Sequence, residues 1–189
     1  LEGLALLLAA SLKRHLRCRY ELIAAVPRPV EKWGDLHPQT YQLLEQMGVR
    51  IESIYNQISG EKRGDLLTNK IYTLQIPTQM DKLIFLDSDL LCLQDFHGCE
   101  RFSMVPFNAA PTFLATGRNW PQVYETVGLT LPDTRIQPLF SDEIQPLYFN
   151  SGFVAIHSHL APQLSDTWLD CFHRIDQSGV LDDNPYFRE

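Results

Sequence analysis

Apolar residues along the chain recur first at helical spacing and then in short unbroken runs. Leu4, Leu7, Leu8 and Leu12 share one face of a predicted helix that ends in Lys13, Arg14 and His15. Tyr20 to Val26 reads as a strand, stopped by Pro27-Arg28-Pro29. His37 to Met47 is helical and closes on Gly48, a residue suited to the left-handed turn after a helix. Val49 to Tyr55 is a second strand. Asp65 to Leu74 is a helix with Leu67, Ile71 and Leu74 turned inward and Pro77 beyond its end. Leu83 to Leu86 is a continuous apolar run with the length and composition of a buried strand. Phe102 to Pro106 predicts another short strand and Trp120 to Val127 a helix. Residues 130–146, with Pro132, Pro138 and Pro146, predict a long loop. Leu147 to Ile156 is a strand, and Leu160 to Ile175 is the last amphipathic helix. Helix and strand in alternation predict an α/β fold with a largely parallel sheet, in one domain spanning residues 1–189.

The run Leu83–Leu86 ends in Asp87-Ser88-Asp89. If extension continues through these residues, both carboxylates project to one side. Two such carboxylates repel each other, and a hard divalent cation bound through oxygen relieves the repulsion. The cation can in turn hold a diphosphate. Ligands in α/β sheets sit outside the carboxyl ends of the strands, where this pair is placed.

Composition narrows the partners. A chain of 189 residues, 44% hydrophobic and 21% charged, has the balance of a soluble globular protein. Its formal charge of −7, without a basic stripe, argues against a nucleic-acid surface. An anionic ligand must then be neutralised locally, by a metal, a lysine or backbone amides. Cys18, Cys92, Cys99 and Cys171 are too scattered for a disulfide framework or a zinc site and read as reduced thiols. Leu4 to Ala10 is far shorter than a membrane span, and its positive charges follow it, unlike those of a signal peptide. The expected location is the cytoplasm, with attachment to the periphery of a membrane left open.

Asp87-Ser88-Asp89 after an apolar strand resembles the DxD motif of glycosyltransferases with the GT-A fold. Phe149-Asn150-Ser151-Gly152 resembles the second hallmark of glycosyltransferase family 8, the glycogenin-like and lipopolysaccharide galactosyltransferase-like enzymes. Thr68-Asn69-Lys70 is similar to the helix there that carries a basic residue. The order and spacing of all three agree. The resemblance implies a GT-A fold, a mostly parallel central sheet flanked by helices. It also implies a nucleotide-diphosphate sugar donor (UDP-sugar by family habit), a Mn²⁺ or Mg²⁺ cofactor, and retention of anomeric configuration. The acceptor stays open among a glycan, a lipid-linked sugar and a protein side chain. The family's first, base-binding strand and its late His-x-x-Gly-x-x-Lys-Pro-Trp segment have no counterpart here, nor does the Asp-Gln pair near Tyr186–Glu189. The expectation is therefore a domain incomplete at both ends, whose third metal ligand lies elsewhere.

Within that reading Asp87 and Asp89 are the metal ligands, and Ser88 offers backbone to the ribose. Lys70 meets the diphosphate, while Asn150, Ser151 and Gly152 contact the donor sugar. Asp142, in the loop before the last strand, is a weak catalytic candidate, with Glu143 beside it. Each residue also has a plain structural reading. The aspartates could be solvated turn residues, Lys70 a snorkelling surface lysine, and Asn150 to Gly152 a turn entering a strand. Asp142 and Glu143 read more simply as solvated loop acids, Asp95 as a capping residue, and His157 and His159 as surface polarity. Trp33, Trp120 and Trp168 read as packing residues. Two other functions share these features. A haloacid-dehalogenase-type phosphatase also places Asp-x-Asp after a strand, although Leu91 stands where it has Thr or Val. A non-catalytic nucleotide-sugar binding module would keep the site without turnover.

Overall fold

The computed structural model describes residues 2–58, 67–95, 107–111, 119–137, 142, 144–146 and 149–180, with backbone alone at 107–111, 145, 149 and 150. Helix α1 (Glu2–His15) has Glu2 in its first turn and three basic residues in its last, the arrangement its dipole favours. Strand β1 (Ile23–Arg28), the short α2 (Val30–Trp33), α3 (Pro38–Gln46) and β2 (Arg50–Tyr55) follow. The ring of His37 accepts the Gln39 N–H at the start of α3, and Pro38 occupies its first turn. Gly48, at φ +71°, reverses the chain beyond its end. Strand β1 continues through Pro27, past the expected stop; among the described residues it pairs only with β2, so a residue without an N–H is tolerated there.

Helix α4 (Asn69–Thr73) leads to β3 (Lys82–Leu86). Strand β4 (Phe107–Pro111), α5 (Trp120–Thr126), the two-residue strands β5 (Arg135–Ile136) and β6 (Gln145–Pro146), and β7 (Phe149–His157) come next. A 3-10 turn at Ser158–Leu160 opens α6 (Ala161–Ser178), which ends at Gly179. The strand expected at Phe102–Pro106 lies outside the described residues. The loop expected over residues 130–146 contains the β5–β6 pair.

The sheet is not largely parallel. Among the described residues only β1 and β2 pair in parallel, whereas β7 lies between β3 and β4, antiparallel to both. The alternation of helix and strand that implies parallel crossovers holds as far as β3 and fails beyond it.

Three apolar clusters hold the described elements. Leu8, Leu12 and Leu16 pack with Cys92, against Leu22 and Leu86. Ala9, Leu44 and Val49 join α1, α3 and the residue leading into β2, with Leu22 again at the margin. Leu74, Ile156 and Ala161 seat α6 on the β3–β7 sheet, with Phe85 and Trp168 alongside. Helix α1 thus spans from the parallel pair to the exit of β3. Its buried face is Leu8, Ala9 and Leu12; Leu4 and Leu7, expected inward, are 42% and 58% exposed. Leu67 is likewise exposed, while Ile71 and Leu74 are buried as expected.

Between the β1–β2 pair and the β3–β7–β4 sheet runs a cleft of about 1100 Å³, lined by Ile23–Pro27 of β1, by every residue of β3 and by the inner face of α1. Polar ties fasten the sheets at the end where β3 begins. The Arg50 guanidinium donates to Glu21 (2.8 Å) and to the Pro77 carbonyl (2.9 Å), and the Thr78 hydroxyl donates to Glu21 (3.1 Å).

Candidate active site

Strand β3 delivers the acidic pair to the cleft. The Asp87 N–H donates to the Gly152 carbonyl at 2.8 Å, which extends the β3–β7 ladder by one residue. The chain then turns, and the Leu90 N–H donates back to the Asp87 carbonyl at 3.2 Å. Extension therefore stops at the first aspartate, and a turn separates the two carboxylates where a continuing pleat was expected. Asp87, Ser88 and Asp89 all line the cleft. Asp87 and Ser88 are half-buried and Asp89 is exposed.

Helix α4 supplies the positive charge. Lys70 Nζ lies 3.2 Å from Asp87 Oδ1 and donates to the Ser151 hydroxyl at 3.1 Å. The ammonium also stands 5.6 Å from the centroid of the Phe85 ring. A lysine 11% exposed, with its head on a carboxylate and a hydroxyl, is not a snorkelling surface residue. Asn69 and Lys70 line the same cleft as the aspartates. Three segments far apart in sequence, Thr68–Lys70, Asp87–Asp89 and Ser151-Gly152, therefore meet around one ammonium and one carboxylate.

This helix is held by a buried residue that the sequence does not flag. Asn56, just past the end of β2, is fully buried. Its amide donates to Thr68 Oγ1 and to Asn69 Oδ1, both at 2.8 Å, and its side-chain oxygen accepts the Ile58 N–H at 3.0 Å. Its backbone N–H reaches Arg28 and its carbonyl takes the Trp33 indole N–H. A polar residue at the carboxyl end of a strand is the one available signal. From the other side, the Ser165 hydroxyl of α6 donates to the Ile71 carbonyl at 3.0 Å and accepts from Gln75 at 3.0 Å.

The remaining candidates divide. The Asn150 backbone pairs with Ala110 beside a register shift, and its side chain lies outside the described residues. Asp142 is exposed and is not among the residues lining the cleft, and Glu143 lies outside the described residues. Asp95 accepts the Arg17 N–H at 3.2 Å, just beyond α1, a structural role of the expected kind. His157 and His159 have ring centroids 5.6 Å apart, but His157 pairs with Lys82 at the end of β3 opposite the aspartates. Among the described residues no group of three or more His, Cys, Asp or Glu is gathered to hold a metal. The donors at hand, two carboxylates lining the cleft, are oxygen ligands of the kind a hard divalent cation takes. Among the described residues no helix is long and apolar enough to cross a membrane.

No curated protein matches this chain. The profile of one family does, over residues 1–185, nearly the whole sequence and all three segments that meet at Lys70. The chain belongs to that family, the Rhodobacterales glycosyltransferase domain, and so to the transferases that move sugars.

Proposed function

We propose that the protein transfers a sugar from a nucleotide-diphosphate sugar, a UDP-sugar by the habit of family 8, to a glycan, lipid-linked or protein acceptor, with retention of configuration. The observation that carries this reading is the contact of Lys70, which lines the cleft, with both Asp87 and Ser151. Those residues come from the three segments that resemble the GT-A, family 8 pattern. Family membership favours sugar transfer over the phosphatase alternative.

In this reading Asp87 and Asp89 would hold Mn²⁺ or Mg²⁺ together with the donor's diphosphate. Bound there, the cation would act as a Lewis acid on the leaving diphosphate. Lys70 offers a second positive charge to the same phosphates, as a point charge on a flexible stem. The Ser151 hydroxyl, beside the ammonium, orients it and faces the donor sugar together with Asn150. Gly152, without a side chain at the rung that joins β3 and β7, would let the donor sugar come close. Asp142 stays the weakest of the proposed roles, a carboxylate in the loop before β7.

The test is turnover of several nucleotide sugars with Mn²⁺, by hydrolysis and by transfer. Asp87→Asn and Asp89→Ala are each expected to lower kcat/KM by about a hundredfold or more, the scale of losing a metal's contribution to a leaving group. Undiminished turnover in both variants would end the assignment. A protein that binds nucleotide sugar without turnover would be the binding module instead.

A further inference from the structure

The contacts of Lys70 carry a consequence for the order of binding. Its ammonium lies within 3.3 Å of both Asp87 oxygens, and its side chain is far more enclosed than the carboxylate it touches. Asp89, two residues on, pairs with no positive group among the described residues. A divalent cation approaching Asp87 therefore meets a positive charge already seated on the carboxylate, and like charges a few ångströms apart repel strongly. The ammonium cannot simply leave, because an enclosed, unpaired charge is costly unless a new anion receives it. The Ser151 hydroxyl and the Phe85 ring would keep it close by once it let go.

We propose that Lys70 is a displaceable counter-ion that makes cation and diphosphate bind as a pair. In the free protein it neutralises Asp87, and the bare cation binds weakly. A nucleoside diphosphate draws the ammonium onto its own oxygens and frees Asp87 for the cation. Each ligand thus raises the affinity of the other by the same factor, as linkage requires. The proposal rests on the donor reading above and adds to it the sequence in which the site is filled.

The experiment is a Mn²⁺ titration followed by the electron paramagnetic resonance of the free ion, with and without uridine diphosphate and corrected for Mn²⁺ held by the nucleotide in solution. For the unaltered protein, the nucleotide is expected to tighten Mn²⁺ binding about tenfold or more. Lys70→Met keeps the apolar stem and removes the charge. It is expected to bind bare Mn²⁺ about fivefold more tightly, the scale of a partly exposed ion pair, and to lose most of the nucleotide-dependent gain. A natively folded Lys70→Met protein, judged by circular dichroism, that binds bare Mn²⁺ no better than the unaltered one overturns the proposal. If that variant does not fold, the unaltered protein decides: Mn²⁺ affinity indifferent to the nucleotide overturns the counter-ion role and leaves the metal site standing. Absence of Mn²⁺ binding with and without nucleotide removes the metal-dependent donor reading itself.

Discussion

At the scale of single residues the site depends on a side chain that does not touch it. Asn56 uses both halves of its amide and both backbone groups, so its burial costs little in lost hydrogen bonds. Removing the amide would leave the buried Thr68 hydroxyl and the half-buried Asn69 oxygen and Ile58 N–H without it. Asn56→Ala is therefore expected to lower stability by about 2–3 kcal/mol, read as a fall in the urea midpoint at unchanged m-value. Turnover should fall further than stability explains, because α4 carries Lys70. A loss below about 0.5 kcal/mol, the range of ordinary surface changes, would show that this amide is not what seats the helix. Nothing in the sequence marks Asn56 as buried. It reads as one polar residue after a strand, and its enclosure is created by Thr68 and Asn69 arriving from farther along the chain. Lys70, Asp87 and Ser151 could be singled out because each stands in a local pattern. That one ammonium bridges the other two was not, since no local pattern encodes distances across three segments.

At the scale of elements, the arginine on β2 joins the parallel pair to the chain entering β3. The Arg50 guanidinium beside Glu21, with help from the Thr78 hydroxyl, holds the Glu21 carboxyl below the usual glutamate range against the opposing effect of desolvation. A carboxyl depressed in the folded state stabilises the fold in full above its unfolded value, about 4.3 for glutamate, and loses that contribution as pH falls through the lower folded value. Glu21→Gln is expected to cost less than about 1 kcal/mol near neutral pH, because the pair is a third exposed. The gap in melting temperature between the two proteins should narrow below about pH 4 and in high salt. A gap independent of pH would assign the effect to hydrogen bonding by the amide-sized group and not to its charge. The elements themselves were largely legible. The helix over Pro38–Gln46, the strands through Arg50–Tyr55, Lys82–Leu86 and Phe149–His157, and the last helix announce themselves by period, proline and glycine. Their partners did not. Leu4 and Leu7 belong to an apolar helical face, but which part of that face is covered depends on where Cys92 and Leu22 come to rest. The run Leu83–Leu86 would look the same beside a parallel or an antiparallel neighbour.

At the scale of the molecule, the β1–β2 pair and the β3–β7–β4 sheet face each other across the cleft, and this gives β3 two chemically different sides. The Asp87 N–H bonds to Gly152 and the Ser158 N–H to the Asp81 carbonyl, and the register pairs every residue between. Hydrogen-bonded and non-hydrogen-bonded pairs alternate along an antiparallel ladder. Leu83, Phe85 and Asp87 therefore direct their backbone groups to β7, while Lys82, Ile84 and Leu86 direct theirs to the cleft. Strand β7, paired on both sides, should be the best-protected strand. Native-state amide exchange is expected to resolve this: Ile84 and Leu86 should exchange at least about a hundredfold faster than Leu83 and Phe85, because they have no ladder partner among the described residues. The contrast should survive addition of nucleotide and Mn²⁺ if those ligands engage only the Asp87–Asp89 end. Equal protection of all four amides in the free protein would mean that another stretch of backbone lies along this edge. The open cleft would then be replaced by a continuous sheet, with the aspartates still at its rim and their approach confined to the carboxyl ends of the strands.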